Sequence, residues 1–171
     1  MERVRLGYRE ILRAAKPEPH LFARLGDGRK DCPEPSDSIV PVANPGKWPK
    51  VHTERYTVFV DSGRVVAVTE SPFSCSGDWA INYTHYFDAA GHTTGYERFS
   101  GFFNGCSFGA ARETTLYVFD NGALISKQYS LTNASGQPQR PDACTFYHHW
   151  EYAIYASWAA YAAATGLPEH P

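Results

Sequence analysis

The feature that most constrains the fold of this 171-residue chain is a pattern that occurs three times in its centre. Each copy is a run of aromatic and β-branched residues that ends in Asp, with Gly shortly after it and a second such run beyond. These residues favour the pleated strand, and Asp and Gly favour the tight turn between two strands. We therefore predict three consecutive hairpins over residues 51–135, which is an antiparallel meander of about six strands. The three turns are Asp61-Ser-Gly63, Asp88-Ala-Ala-Gly91 and Asp120-Asn-Gly122.

The segments before the sheet carry different signals. Apolar residues in 3–15 are spaced for one face of a helix, and a short helical turn at 20–25 would end at Gly26, so residues 1–26 are predicted to be helical. Residues 27–50 are rich in Pro, Gly, Asp and Ser, which predicts a long irregular connection.

The last part of the chain changes to a helical period. Large apolar residues repeat at spacings of three and four, and Gly166 and Pro168 stand where a helix should end. We predict an aromatic-rich helix over 145–166 that packs on the sheet, and an α+β fold with residues 1–171 as one domain. The repeating residues are Tyr147, Trp150, Ile154, Trp158 and Tyr161.

Four widely spaced cysteines offer two interpretations, namely two disulfides formed in an oxidising compartment or four buried thiols. Opposed residues of a hairpin have position numbers with a constant sum, and turn geometry puts that sum at about 179 to 181 for the middle hairpin. The numbers of Cys75 and Cys106 add to 181, so we predict a bridge between them. Cys32 and Cys144 then remain as the second pair, and both disulfides would place the mature protein outside the cytosol.

Charge and hydropathy exclude several classes of partner. A net charge of −2 gives no electrostatic basis for binding nucleic acid or an anionic membrane. No run approaches the roughly 18 apolar residues of a membrane span. The N-terminus lacks the apolar core of a signal peptide, so an exported form would be a mature chain with an added Met.

The middle hairpin carries the candidate ligand-binding residues. Strand alternation puts Tyr83 and His85 on the same, more apolar face as Tyr96 and Arg98. Such a cluster could line a pocket for an anionic or aromatic ligand. The alternative is that His85 and Arg98 reach the sheet edge and hydrogen-bond locally.

Catalytic and metal-binding signals are weak. His148, His149 and Glu151 could supply metal ligands, but a complete site needs further ligands, and structural histidines near a helix start are more common. The chain has no nucleophile elbow, no phosphate loop and no cofactor motif, so we expect no cofactor.

A Tyr-rich sheet, a Pro-rich loop and disulfide-compatible cysteines together favour recognition of another protein. We therefore predict a non-enzymatic binding protein of a secreted or periplasmic bacterial type, such as an inhibitor or an immunity-type partner. The alternative is a small hydrolase whose site uses His85, Arg98 or the group at 148–151.

Overall fold

An antiparallel sheet of eight strands dominates the computed structural model, which describes residues 16–29, 32–104, 106–144 and 152–171. The strands lie in the order β2-β1-β3-β4-β5-β6-β7-β8, so the chain follows the sheet from neighbour to neighbour except at β1 and β2. Their bounds are β1 Glu18–Gly26, β2 Pro35–Pro41, β3 His52–Asp61, β4 Arg64–Pro72, β5 Trp79–Phe87, β6 Thr93–Phe102, β7 Ala111–Asp120 and β8 Ala123–Asn133.

The three predicted hairpins are present as β3–β4, β5–β6 and β7–β8. Asn121 and Gly122 have φ of 49° and 77°, which are the left-handed values that a two-residue hairpin turn requires. In the middle turn, the Asp88 carboxylate accepts hydrogen bonds from the backbone N–H groups of Ala90 and His92 at 2.9 and 2.8 Å. Asp88 is thus a turn-forming residue.

The sheet is larger than predicted because β1 and β2 add to it. Residues 18–26 were predicted to be helical, but they form a strand that pairs with β3 from Glu18 to Leu25. This long-range pairing satisfies the backbone groups and outweighs the local helical spacing. β2 lies within the predicted loop 27–50 as an edge strand that begins and ends with proline, where a missing N–H is tolerated. The predicted helix at 3–15 lies outside the described residues.

The C-terminal helix is shorter than predicted. Helix α1 spans Trp158–Thr165, the described residues before it are not helical, and 145–151 lie outside the described residues. The backbone of this segment bonds instead to the β5–β6 hairpin, with 2.9 Å from Thr93 N to the oxygen of Ala156 and 2.9 Å from Trp158 N to the oxygen of Gly91. Gly166 ends the helix at φ 80°, as predicted.

Helix α1 packs on one face of the sheet. Trp158 and Tyr161 are buried against apolar residues of the strands, and Tyr161 has no exposed surface. Each such ring can bury on the order of 150–250 Å², so the helix supplies much of this core. The strand residues of this core are Phe22, Tyr56, Val58, Val65, Val68 and Phe87.

Side chains directly opposite each other on paired strands share one face of the sheet. On the face that α1 covers, one row of opposed residues crosses the sheet from β1 to β8 and is largely polar. It consists of Phe22, Tyr56, Glu70, Tyr83, Arg98, Thr115 and Tyr129.

Two disulfides form, but the predicted pairing is wrong. Cys32 is bonded to Cys75, and Cys106 is bonded to Cys144. The register of the middle hairpin is nevertheless as predicted, because Tyr83 and Arg98 are opposed and their numbers also add to 181. The error lies in extending that register to the cysteines, which stand beyond the ends of both strands.

Local turns separate Cys75 from Cys106. Among the described residues, the backbone bond between the two arms that lies nearest the cysteines runs from Phe103 N to the oxygen of Asp78, at 2.9 Å. Before Asp78 the chain turns at Gly77, whose N–H donates to Ser74 Oγ at 3.0 Å, while Cys106 begins a turn closed by Gly109. Cys75 therefore meets the β1–β2 connection, and Cys106 meets the segment that follows β8.

All four cysteines lie at the same end of the sheet, which we call the disulfide end. It is the end at which β1, β4, β6 and β8 finish and β3, β5 and β7 begin. The three hairpin turns lie at the opposite end, which we call the turn end. No helix among the described residues is long and apolar enough to cross a bilayer.

Candidate functional site

The four predicted ligand residues come together on β5 and β6. Tyr83 is opposite Arg98 and His85 is opposite Tyr96, on the face that the C-terminal segment covers. All four are buried, with at most 8% of any residue exposed. They lie in the middle of the sheet. The alternative prediction, that His85 and Arg98 reach the sheet edge, is therefore wrong about their position.

Tyr152 covers this cluster, which we call the tyrosine cluster (Tyr83, His85, Tyr96, Arg98). Its ring stacks on Tyr83 with 3.9 Å between centroids and 9° between planes. It is also nearly parallel to Tyr96, at 5.8 Å and 12°. A planar ring thus already fills the space above the cluster, and a macromolecular partner cannot contact it in this arrangement.

Glu70 on β4 joins the C-terminal segment to the sheet. Its Oε2 accepts hydrogen bonds from the hydroxyls of Tyr152 and Tyr161, at 2.5 and 2.8 Å. Burial raises the pKa of Glu70, and the two phenol donors act against this rise by stabilising the carboxylate. The sequence signal for Glu70 is an acidic residue in a strand that otherwise alternates apolar residues toward the core, and our prediction missed it.

His85 is a neutral imidazole within aromatic surroundings. Burial lowers its pKa to about 3. Its Nε2 accepts the backbone N–H of Tyr155 at 3.3 Å, so the ring proton of the neutral form is on Nδ1. Burial also raises the pKa of the neighbouring Tyr83 to about 12, which keeps that phenol protonated at neutral pH.

Arg98 forms an ion pair within the core. Its Nη2 donates to Glu113 Oε2 on β7 at 2.8 Å, and the Glu113 side chain is 1% exposed. A buried pair of this kind offsets the desolvation of both charges, while removal of one partner would leave the other charge uncompensated. Arg98 is therefore held in a defined position beside Tyr83.

The structure does not test the predicted metal ligands. His148, His149 and Glu151 all lie outside the described residues. Among the residues that are described, no group of three or more His, Cys, Asp or Glu side chains is placed to hold a metal ion.

A separate set of side chains lies at the disulfide end, and we call it the aromatic rim (Trp48, His52, Arg55, Phe73, Phe103). His52 is buried, Trp48 is half-buried and the other three are exposed. Phe73 follows β4 and is 44% exposed, and Phe103 follows β6 and is 59% exposed. Neighbouring strands are about 4.8 Å apart, so these two strand ends are separated by roughly 10 Å. The sequence prediction did not identify this surface, because which loops share an end depends on the complete sheet order.

The rest of the aromatic rim is linked by ring contacts. The guanidinium of Arg55 lies over the Trp48 ring, 4.9 Å from its centroid. The His52 ring lies 5.7 Å from Phe73 in an edge-on arrangement. Arg55 also donates through Nε to His52 Nε2 at 2.8 Å, which fixes the guanidinium over the indole.

Comparison of the chain with protein-family models, with curated proteins and with solved structures finds no match.

Proposed function

We propose that this protein is a non-enzymatic binding protein of the secreted or periplasmic type, and that it recognises a protein partner through the aromatic rim. The observation that carries the proposal is the exposure of Phe73 and Phe103, at 44% and 59%, on connections at the disulfide end. Contiguous exposed apolar surface is typical of interaction sites, and the strand ends that carry these two rings are about 10 Å apart.

The composition of the aromatic rim supports a protein partner. Aromatic residues and Arg are enriched at the centres of protein interfaces, and Trp and Arg are frequent among the residues whose truncation costs most binding energy. Arg55 is held over Trp48 before any partner arrives. The partner would thus meet a pair that is already ordered.

The disulfides support the same role. The Cys32–Cys75 bond crosslinks the connection that carries Phe73, and the Cys106–Cys144 bond lies close to Phe103 in the chain. Loops ordered before binding lose less conformational entropy on association, so more of the contact energy is expressed as affinity. Two disulfides also suit an oxidising compartment outside the cytosol.

The hydrolase alternative is less well supported. It requires His85 or Arg98 to reach a substrate, and both are buried beneath the C-terminal segment. A neutral imidazole whose Nε2 already accepts a backbone N–H is poorly placed to act as a general base. An inhibitor or immunity-type partner protein is consistent with the accessible site.

Site-specific photocrosslinking tests the proposal. A photoreactive amino acid at position 73 or 103 should give a covalent adduct of one defined mass in the extracellular or periplasmic fraction of the source organism. Unlabelled wild-type protein should compete for the adduct, and the double variant Phe73→Ser, Phe103→Ser should not.

The matched control uses two exposed apolar residues near the turn end. Leu124 and Ile125 are 51% and 63% exposed, so crosslinkers there test whether exposure alone produces adducts. The same adduct from position 125, or equal competition by the double variant, would contradict recognition through the aromatic rim.

A further inference from the structure

The sheet has a second face, opposite to the one on which α1 packs. Side chains alternate between the two faces along a strand, so the chain neighbours of the largely polar row belong to this second face. They include Ser71 on β4 and Asn82 on β5, and the Ser71 hydroxyl donates to Asn82 Oδ1 at 2.7 Å. Arg55 is opposite Ser71, and Phe99 is opposite Asn82. The aromatic rim therefore continues onto this face from Arg55.

Two small residues form a depression in the second face near the disulfide end. Ala80 on β5 is opposite Gly101 on β6, and Ala80 is exposed. Within the described residues, and apart from its chain neighbours, a Cβ atom added to Gly101 would meet only the Ala80 backbone oxygen, at 3.9 Å. A side chain of another molecule can therefore reach the backbone at this point.

Three phenylalanines surround this depression. Phe99 and Phe103 stand two residues before and after Gly101, each about 7 Å away along the chain direction of β6. Phe73 lies on the other side, because the register between β4 and β5, continued by three residues, puts it opposite Ala80. Phe73 and Phe103 are exposed, and Phe99 is half-buried. An apolar border around a floor of backbone fits one aliphatic or aromatic side chain.

Two exposed arginines flank the depression. Arg112 on β7 is directly opposite Gly101, and its side chain has no hydrogen bond or ion pair within the described part of the chain. Arg55 on β3 is four strands from Arg112, which is about 19 Å at 4.8 Å per strand. From β3 to β8, the two rows of opposed residues around these arginines are Arg55, Ser71, Asn82, Phe99, Thr114 and Ser130, and Phe73, Ala80, Gly101, Arg112 and Thr132.

Neither of these rows contains a carboxylate. Asp78 lies beside them, opposite Phe103, and its carboxylate accepts the hydroxyl of Ser76. The whole chain has a net charge of −2, so the positive charge at Arg55 and Arg112 is a local feature of this surface. A partner that brings carboxylates to it is electrostatically complementary, and such complementarity raises the association rate and selects the partner.

We propose that the partner of the aromatic rim presents an acidic segment with one apolar side chain, which fills the depression at Gly101. Its carboxylates contact Arg112 and Arg55. An extended segment advances about 3.3 Å per residue, so the two acidic residues stand about six positions apart. The apolar residue lies between them, nearer to the one that contacts Arg112. This inference rests on the proposed function and adds the chemistry of the partner to it.

The crosslinked peptide tests this chemistry directly. With a photoreactive amino acid at position 73, digestion of the adduct and mass spectrometry identify the partner segment that lies at the depression. We expect a segment with an apolar residue and with acidic residues on both sides of it. A basic segment, or one without a carboxylate within about six residues of the crosslink, would overturn the proposal.

Charge reversal at Arg112 provides a second test, because recognition through the aromatic rim alone does not require this residue. Arg112→Glu should compete for the adduct about tenfold or more weakly than wild type, since like charges then face each other. The matched control is Arg64→Glu, which reverses an exposed arginine at the turn end and should compete within about twofold of wild type. Equal competition by the two variants would overturn the proposal.

A third variant fills the depression. Gly101→Val places a side chain favoured in strands where the partner's apolar residue would lie, and it should compete about tenfold or more weakly than wild type. Gly101→Ala, which adds one methyl group, should compete better than Gly101→Val, and circular dichroism checks that both variants are folded. Wild-type competition by Gly101→Val would show that the depression is not used and would overturn the proposal.

Failure of this inference can be distinguished from failure of the proposed function. If no adduct forms at position 73 or 103, both are overturned. If an adduct forms and the Phe73→Ser, Phe103→Ser variant does not compete, the aromatic rim is the binding site. Full competition by Arg112→Glu would then overturn the acidic segment alone.

Discussion

At the scale of single residues, three ionisable side chains on the covered face are stabilised in three different ways. Glu70 accepts from two phenols, Arg98 is paired with Glu113, and His85 stays neutral. Charged groups without such compensation are very costly in a protein interior. Each of these residues therefore makes the stability of the fold depend on its partner or on the pH.

His85 gives a pH dependence with a defined sign. Its pKa is about 3 in the folded protein against 6.5 in an exposed histidine. Between these values the unfolded chain binds a proton that the folded protein does not, so the free energy of unfolding falls as pH drops from 6.5 toward 3. We expect a slope of up to about 1.4 kcal/mol per pH unit from this residue. Urea unfolding at several pH values should show a shallower slope for His85→Gln.

The exposed turn residue His92, with 69% of its side chain accessible, is the control for loss of one histidine. The slope of His85→Gln is expected to be shallower than that of His92→Gln. Glu70, with its raised pKa, is present in all three proteins and cancels in the comparison. Equal slopes for wild type and His85→Gln would show that His85 is not buried as a neutral base.

Alternation in the sequence was sufficient to put Tyr83, His85, Tyr96 and Arg98 on one face. It could not indicate that Tyr152 would lie over them. That contact joins residues far apart in the chain, and no local spacing encodes it. The local pattern at the end of the chain favoured a continuous helix, in which Tyr152 would have been one more helical residue.

At the scale of elements, the conformation of some segments is set by their own sequence, and that of others is set by the strands they pair with. The three hairpins have the turn residues that their geometry needs, such as Asn121-Gly122, and they could be predicted. Strand β1 and the start of α1 could not. Their backbone groups bond to β3 and to the β5–β6 hairpin, and only the assembled sheet supplies those partners.

Helix α1 begins at a residue that can be tested. The Ser157 hydroxyl oxygen accepts the N–H of Ala160 at 3.2 Å and so satisfies one free donor at the helix start. We expect Ser157→Ala to lower the free energy of unfolding by about 1 kcal/mol, measured by urea denaturation.

The variant Ser157→Asp should retain most of the stability, because Asp is also a favourable N-cap residue. If Ala and Asp destabilise the protein equally, the side-chain cap is not what stabilises the start of α1.

At the scale of the whole molecule, the two disulfides connect parts of the chain that are far apart in the sequence. Cys32–Cys75 spans a sequence separation of 43 and Cys106–Cys144 one of 38. The sequence predicted the register of the middle hairpin correctly and the bridges incorrectly. The pairing of the cysteines depends on which connections from different hairpins lie side by side at the disulfide end. The register within one hairpin does not predict this arrangement.

The pairing predicts a specific peptide map. Proteolysis under non-reducing conditions, followed by mass spectrometry, should recover peptides that link Cys32 to Cys75 and Cys106 to Cys144. Replacing either pair by Ser should cost about 4 kcal/mol of unfolding free energy in the chain-entropy model, given the similar loop lengths. A peptide that joins Cys75 to Cys106 would contradict the fold at this end.

The disulfides lie at one end of the sheet and the three hairpin turns at the other. This arrangement determines how the protein can be attached to a surface. The exposed turns at Ser62-Gly63 and Asn121-Gly122 lie far from every cysteine, so a biotin or a fluorescent label placed there leaves the opposite end open. A sensor chip coated through either turn would present every molecule with Phe73 and Phe103 toward the flowing sample. Coating through a residue beside Cys75 would hide them.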